Sequence, residues 1–309
     1  MAAPQRPRIV ALFGPTAVGK TAVAVAVGRA LRAAGHDPLA ISADAMQVYR
    51  GIETLTGARD ALDQDELEHR LVSVLPIDET CSAGRFARMA HGEIDAALAA
   101  GRTPVIVGGT GLYLRAALTE LELRPPAPPA LRARLEAELA ADGPQALHAR
   151  LAAVAPWAAA RIAPADRSRL VRTLELHELG ELREPDPDAP NRLWTDDVRH
   201  PTRLVGLVRD RDQLRARIDL RIDAMLAAGA ADEVRAAVAA GASATARKAH
   251  GFEPLLAGDE DRMRRDTRRY IKRQLTWMRK LPGVEVIDLT GDSDLDAVAA
   301  AIVAPLLGD

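Results

Sequence analysis

The sequence predicts an α/β protein in which an all-helical domain interrupts a core built on a parallel sheet. Three observations support this fold. Short apolar runs alternate with longer helix-compatible stretches in the first third of the chain, which is typical of βα units. A phosphate-binding motif joins the first of these runs to the first helix. Two proline-rich segments then enclose a stretch that has helical spacing only.

The first four strand candidates are residues 9–13, 39–42, 71–75 and 104–108. Helix-compatible sequence follows each of them, so we expect the four runs to lie parallel in one sheet. Residues 22–27 alternate like a strand, but the glycine-rich loop before them favours the start of a helix.

Proline-rich segments mark two domain boundaries. Four prolines among residues 125–129 exclude a helix interior and a central strand, and a second breaker lies at residues 184–190. Between the two segments no strand candidate occurs. We therefore expect residues 1–122 and 200–309 to form the α/β core with C-terminal basic helices, and residues 123–199 to form an inserted helical domain.

After the second boundary the chain returns to the sheet. Residues 203–208 are typical of a strand, and helical spacing then runs from residue 210 to about residue 281. Residues 284–289 predict a last strand before a terminal helix.

The composition is that of a folded, soluble chain. The 309 residues are 48% hydrophobic and 27% charged, which argues against a disordered protein and permits a sizeable core. The single cysteine excludes an internal disulfide and a cysteine-held zinc. No secretory signal or membrane-spanning run is recognisable, so we expect a cytoplasmic protein without a membrane partner. A net charge of −2 means that any nucleic-acid contact must come from local basic patches.

Residues 14–21 fit the P-loop pattern G-x-x-x-x-G-K-[ST] between a strand and a helix. The eight residues are Gly14, Pro15, Thr16, Ala17, Val18, Gly19, Lys20 and Thr21. In such a loop, backbone N–H groups and the helix N-terminus face a phosphate, Lys20 supplies a cation and Thr21 can hold Mg²⁺. We therefore expect a P-loop NTPase-like core that binds a di- or triphosphate, with Mg²⁺ as cofactor at Thr21.

The strand at residues 104–108 ends in a Gly-Gly-Thr-Gly turn, and no aspartate or glutamate follows the strand there. P-loop hydrolases use a carboxylate at the end of a neighbouring strand to position Mg²⁺. A turn of this composition suits close approach of the backbone to an anion, with the hydroxyl of Thr110 in contact. The alternative is a plain strand-to-helix turn, and the missing acid favours the anion-binding interpretation.

Four more side chains are expected near the phosphate site. Asp44 and Gln47 follow the second strand, at the same sheet edge as the P-loop. An aspartate there is a magnesium ligand, a general base or a solvated turn residue. The side-chain amide of Gln47 is suited to hydrogen-bond the edge of a nucleobase. Arg217 and Arg221, four residues apart on one helix, provide cations that can reach the same site.

Two basic elements indicate a polyanion larger than a nucleotide. Residues 261–280 carry nine Lys or Arg, among them Arg269 and Arg273, against two Asp. Apolar residues recur there at helical spacing, which predicts an apolar inner face and a basic outer face. Arg169 and Arg172 form a second basic pair on a helix of the insertion. Solvated charged faces are the alternative interpretation.

Together these motifs resemble the bacterial tRNA dimethylallyltransferases, or IPP transferases, over nearly the whole chain. The resemblance rests on five islands in the family order, at residues 14–21, 44–50, 108–113, 166–175 and 268–277. It implies transfer of the dimethylallyl group of dimethylallyl diphosphate to the exocyclic N6 of the adenosine 3′-adjacent to the anticodon, with Mg²⁺ and release of diphosphate. The sequence departs from the family pattern at Ala45, usually a serine, and at His250, usually aliphatic.

The resemblance also implies roles for individual residues. Asp44 acts as the general base, Thr110 hydrogen-bonds the bridging oxygen, and Lys20 neutralises the leaving group. Binding of dimethylallyl diphosphate is assigned to residues 14–21 with Arg217 and Arg221. Contacts with the tRNA anticodon stem-loop are assigned to Asp44, Ala45, Met46, Gln47, Thr110, Arg132, Ser168, Arg169, Leu170, Val171, Arg172, Arg269 and Arg273.

Two other functions stay open on the sequence alone. A P-loop small-molecule kinase with a helical lid forms ADP from ATP, and a non-catalytic RNA-binding protein with a structural P-loop binds tRNA without turnover. Five motif islands favour the transferase, which we expect to be a monomer.

Overall fold

The computed structural model describes residues 6–62, 65–124, 126–186, 192–291 and 293–307. Within these residues, six parallel strands form one sheet in the order β3-β2-β4-β1-β5-β6. The strands are β1 (Ile9–Phe13), β2 (Pro38–Ser42), β3 (His69–Arg70), β4 (Thr103–Gly108), β5 (Thr202–Val208) and β6 (Glu285–Asp288).

Helices connect the strands and form a separate cluster in the middle of the chain. Those of the sheet-forming part are α1 (Lys20–Ala33), α2 (Glu53–Thr56), α3 (Arg59–Leu62), α4 (Ala83–Ala99), α5 (Gly111–Leu118), α9 (Arg211–Ala227), α10 (Ala230–Ala239), α11 (Phe252–Leu256), α12 (Glu260–Met278) and α13 (Leu295–Leu307). Those of the middle part are α6 (Pro129–Val154), α7 (Pro156–Ala159) and α8 (Arg167–Glu178). No helix in the described ranges combines the length and the apolar character that crossing a membrane requires.

The central strand β1 shows why the core strands have continuous apolar sequences. All five residues of β1 are buried, and Val10 pairs with Val105 of β4 on one side and with Arg203 of β5 on the other. Helices cover both faces of a parallel sheet, so alternation between polar and apolar residues is not required. The predicted α/β fold with a P-loop-like core is therefore confirmed.

One predicted strand is wrong. Residues 71–75 form a loop, and the strand lies just before them at His69–Arg70. Leu71 and Ser73 have φ angles of 58° and 50°, which interrupt an extended backbone. Leu71, Val72 and Leu75 of this segment are nevertheless buried, so the packing of a loop against the core explains the apolar pattern that predicted a strand.

The chain divides into two compact units, Met1–Leu121 with Arg192–Asp309, and Glu122–Asn191. The second unit has its own core, centred on Leu135, Leu151 and Leu174. Its longest helix, α6, contains a break at Gly143, whose φ of 79° suits glycine, just before Pro144.

The second boundary drawn from the sequence, at residue 199, lies too far along the chain. Arg115 Nη2 donates to the carbonyl oxygens of Arg192 (2.7 Å) and Asp197 (3.1 Å) within the first unit. Arg199 N donates to Leu118 O at 2.8 Å. These bonds, made before β5 begins, tie residues 192–199 to the first unit.

Candidate functional site

A cavity of about 440 Å³ lies at the carboxyl ends of β1, β2 and β4 in the first unit. Open α/β sheets bind ligands at this edge, because loops from neighbouring strands converge there. The segments after the three strands supply one wall, and α9, α12 and the loop before α11 supply the rest.

The P-loop curls around one end of the cavity. Ala17 and Gly19 have φ angles of 65° and 115°, and Lys20 then begins α1. Such turns point successive N–H groups toward one site and suit an anion. Five of the eight predicted residues line the cavity: Thr16, Ala17, Gly19, Lys20 and Thr21. Gly14, Pro15 and Val18 are not among the lining residues, so the structure assigns them to the shape of the loop.

Lys20 lies at the floor of this loop. Its Nζ donates to the carbonyl oxygens of Gly14 and Pro15, each at 2.9 Å. Burial lowers the pKa of Lys20 to about 8; the charge of Asp44 opposes this shift and that of Arg221 adds to it. A bound anion would stabilise the protonated form of Lys20.

Two arginines of α9 reach the same cavity. Arg217 Nε donates to Ala17 O at 2.8 Å, which links α9 directly to the P-loop. Arg221 Nη2 donates to Thr56 O at 3.5 Å, and its Nη1 lies 3.8 Å from Asp60 Oδ2. The Nε of Arg221 is buried and has no hydrogen-bond partner within the described part of the chain. A buried N–H without a partner is costly, so an anionic ligand is its natural acceptor.

The segment after β2 presents a carboxylate and an amide. Asp44 Oδ1 accepts from Met46 N at 2.9 Å, a turn that leaves Oδ2 without a hydrogen bond to any residue whose structure is described. Gln47 Oε1 accepts from Ser42 Oγ at 2.9 Å, and its Nε2 donates to Thr56 O at 3.4 Å. The structure therefore brings Asp44 to the cavity with a free oxygen, whereas the Gln47 amide holds neighbouring loops.

The turn after β4 places Thr110 opposite α12. Thr110 is the N-cap of α5, and its Oγ1 lies 3.1 Å from the hydroxyl oxygen of Tyr270. The glycines before it leave room for protein atoms: a Cβ at Gly108 would overlap Ala43 O, and one at Gly109 would overlap Gln274 Nε2. Close packing of this turn, rather than an anion alone, requires the two glycines.

Three residues that the sequence did not assign to the site come from the C-terminal part of the first unit. Burial raises the pKa of Tyr270 to about 12, and the nearby Asp44 adds to the shift. The ring of His250 stacks on that of Tyr270 at 3.8 Å, and burial followed by the charge of Arg273 lowers the pKa of His250. Gln274 contacts both the P-loop and the turn after β4. A polar residue on the otherwise apolar face of α12 was the feature of the sequence that could have pointed to Gln274.

Two of the predicted RNA contacts in the first unit, Arg269 and Arg273, lie on the exposed face of α12. The others line the cavity: Asp44, Ala45, Met46, Gln47 and Thr110. Arg269 and Arg273 are exposed, and the Arg273 guanidinium lies 5.5 Å from the centroid of the Tyr270 ring. A groove of about 640 Å³ between α9 and α12 is lined largely by cations, including Arg269 and Lys272. The expected basic outer face of α12 is thus present.

The predicted RNA contacts in the second unit differ in exposure. Ser168 and Arg169 are exposed on α8. Arg132 Nε and Arg172 Nη1 bind the buried carboxylate of Glu175 at 2.8 and 3.0 Å. The side chains of Leu170 and Val171 are buried in the core of this unit, so a contact of these two residues with RNA would involve their main chain.

The cavity contains few protein groups that could hold a magnesium ion. In the portion of the chain that is described, no three His, Cys, Asp or Glu side chains converge on a metal position. Thr21 and Asp44 both line the cavity. The Thr21 hydroxyl suits a Mg²⁺ ion that keeps most of its waters and takes further oxygens from substrate phosphates, which leaves the Asp44 carboxylate free.

Comparison with known proteins gives one family. The profile of the IPP transferase family matches residues 47–281. A tRNA dimethylallyltransferase of Symbiobacterium thermophilum is 40% identical, over 96% of this chain and 93% of its own length. A tRNA dimethylallyltransferase of Thermobifida fusca is 39% identical, over 95% of this chain and 94% of its own length. The P-loop and Asp44 precede the residues matched by the profile.

Solved structures give the same result. The full-length tRNA isopentenylpyrophosphate transferase of Bacillus halodurans has a TM-score of 0.68 and 32% identity, covering 98% of this chain and 97% of that one. A eukaryotic dimethylallyltransferase acting on tRNA has a TM-score of 0.71 at 21% identity, covering 96% of this chain and 77% of that one, and it supports the fold.

Proposed function

The chain belongs to the IPP transferase family, and from that premise we propose that it transfers the dimethylallyl group of dimethylallyl diphosphate to N6 of the adenosine 3′-adjacent to the tRNA anticodon. One observation carries the proposal: an anion cradle and a carboxylate with a free oxygen share a single cavity. That combination suits departure of a diphosphate and removal of a proton from the acceptor.

The cradle stabilises the leaving group. When the bond between the allylic carbon and the diphosphate oxygen breaks, its electron pair stays on the diphosphate. Charge that develops in a preorganised site is stabilised by cations and N–H groups already in place. Lys20, Arg217 and Arg221 supply three cations there, and the P-loop supplies N–H groups. Mg²⁺ held by Thr21 and phosphate oxygens would add further positive charge.

The acceptor side needs a base, because the lone pair of an adenine amine is delocalised. As the new N–C bond forms, N6 loses a proton, and Oδ2 of Asp44 is positioned to take it. Thr110, held by Tyr270, can donate its hydroxyl hydrogen to the bridging oxygen of the diphosphate. No nucleotide hydrolysis enters this sequence of steps.

Basic surfaces in each unit support RNA as the second substrate. Arg269, Lys272 and Arg273 are exposed on α12, and Ser168 and Arg169 are exposed on α8. The target base must leave the anticodon-loop stack, which costs a few kcal/mol and is cheapest for an unpaired loop base. We infer that the enzyme acts in the cytoplasm as a monomer; a tRNA substrate and the presence of all the named groups in one chain support this inference.

The test is to incubate the protein with undermodified tRNA, labelled dimethylallyl diphosphate and Mg²⁺, and to locate the label after nuclease digestion. We expect label on the adenosine next to the anticodon and one diphosphate per label. ADP formation from ATP without label transfer would support the small-molecule kinase. Binding of tRNA without turnover would support the non-catalytic RNA-binding protein.

A further inference from the structure

Gln274 is a polar residue on the otherwise largely apolar inner face of α12. Only 3% of its surface is exposed, and Ile271 and Met278 of the same face are also buried. A buried amide without partners destabilises a protein by several kcal/mol, so the partners of this one indicate its purpose.

Both ends of the Gln274 amide bind main-chain groups of the site. Its Oε1 accepts from Thr16 N at 3.0 Å, and its Nε2 donates to Gly109 O at 2.8 Å. One side chain therefore bridges the P-loop and the turn that carries Thr110. The paired residues of β1 and β4 end at Phe13 and Gly108, and Gly14 N still donates to Gly108 O at 3.4 Å. Gln274 extends this link between the two loops to Thr16 and Gly109.

Gly109 and Gln274 are complementary in shape. A Cβ at position 109 would overlap Gln274 Nε2 and would lie 3.4 Å from Lys20 Nζ. The amide thus occupies space that only glycine leaves open, next to the lysine of the P-loop.

We propose that Gln274 is a positioning residue that sets the distance between the P-loop and Thr110, and so aligns the two groups that we assign to the leaving diphosphate. This inference rests on the proposed prenyl transfer. Misplacement of reacting groups by about 1 Å can lower a rate by about 10²-fold, so a residue that touches no substrate can still govern turnover.

Gln274→Glu tests the bridge by its hydrogen-bond polarity. An ionised carboxylate still accepts from Thr16 N but repels Gly109 O, whereas a protonated carboxyl group accepts from one and donates to the other. We expect kcat about 10- to 100-fold below that of the wild type at pH 8. The ratio of variant to wild-type kcat should rise severalfold as the pH falls to 6. Using the ratio removes the titration of groups common to both proteins.

Gln274→Met removes both hydrogen bonds at similar volume. We expect kcat to fall by about 10²-fold, with tRNA affinity unchanged and KM for dimethylallyl diphosphate within about threefold. Gln213→Met is the matched control, since Gln213 Oε1 accepts from Gly291 N at 3.1 Å outside the cavity lining. Hydrogen exchange at the Thr16 amide should accelerate in Gln274→Met and stay unchanged in Gln213→Met.

The outcomes separate this inference from the proposed function. A wild type that transfers no label overturns the proposed function. If the wild type is active, either of two results overturns the role of Gln274 and leaves the proposed function intact. One is a ratio of Gln274→Glu to wild-type kcat that does not change with pH. The other is hydrogen exchange at the Thr16 amide that is unchanged in Gln274→Met. If Gln274→Met fails to fold, the pH dependence of Gln274→Glu decides.

Discussion

The two halves of the cavity are built differently. At the diphosphate end, a continuous segment shapes the P-loop, and Ala17 and Gly19 contribute mainly through their backbone conformation. Asp44 at the acceptor end, and Thr110 with Tyr270 between the two ends, come from separate parts of the chain and act through side-chain oxygens. The first half combines the local backbone geometry of one segment with the cations of Lys20, Arg217 and Arg221, whereas the second depends on single oxygen atoms that the tertiary fold brings together. Substitutions should therefore have sharper chemical effects in the acceptor half.

The largest effect is expected at Asp44. Asp44→Asn keeps the turn with Met46 N but removes the base, so kcat should fall by about 10² to 10⁴-fold while tRNA binding is kept. Single-turnover transfer with saturating tRNA measures this change. Asp37→Asn, which alters an exposed carboxylate just before β2, is the matched control and should transfer at the wild-type rate. Full activity of Asp44→Asn would contradict the role of Asp44 as the general base.

Thr110 should show the next largest effect. Thr110→Val removes a hydroxyl that lies 3.1 Å from the Tyr270 oxygen, and loss of one donor to a developing oxyanion costs about 10² to 10³-fold in kcat. Thr110→Ser keeps the hydroxyl and should retain most of the rate. Equal losses in the two variants would mean that packing, not the hydroxyl, matters at this position.

The diphosphate half is tested by pH. Because the pKa of Lys20 is lowered to about 8, the free protein loses this charge as the pH rises above 8, and the affinity for dimethylallyl diphosphate should fall by up to about tenfold per pH unit. Calorimetric titration from pH 7 to 9.5 measures the slope. Lys20→Arg, whose guanidinium stays charged, should bind more weakly at pH 7 but without this slope. If the affinity of the wild type for dimethylallyl diphosphate does not change between pH 7 and 9.5, the role assigned to Lys20 is contradicted.

The smallest effect is expected on the RNA surface. Arg269→Gln removes one exposed cation of α12, so tRNA affinity should fall a few-fold and the slope of log affinity against log salt should decrease by about one, with kcat unchanged. Arg29→Gln on α1, where Arg29 pairs with Glu66 and Asp296, is the control. If the slope of log tRNA affinity against log salt is the same in the wild type and in Arg269→Gln, Arg269 does not contact the RNA.

The same contrast explains what could be predicted from the sequence. The P-loop and its sheet edge follow from a continuous pattern, and both are found as expected. Residues 71–75 show the limit of apolar patterns, since packing under a loop and pairing in a sheet bury the same side chains. Leu170 and Val171 show a second limit, because consecutive residues of a helix face different sides and only some of a motif reach solvent.

The partners of the acceptor half could not be predicted from local sequence. Tyr270 lies 160 residues after Thr110, and Gln274 lies 258 residues after Thr16. Both contacts depend on where α12 packs, which no local spacing specifies. A polar residue within an apolar helical stripe was the only sign of this packing.

A crystal structure of the protein with a non-reactive thio analogue of dimethylallyl diphosphate tests the assigned diphosphate site most directly. We predict that its two phosphates lie between the P-loop, Arg217 and Arg221, with Lys20 turned from the loop carbonyls toward them and the allylic carbon facing Asp44. Phosphates bound in the groove between α9 and α12, with the P-loop empty, would contradict the account.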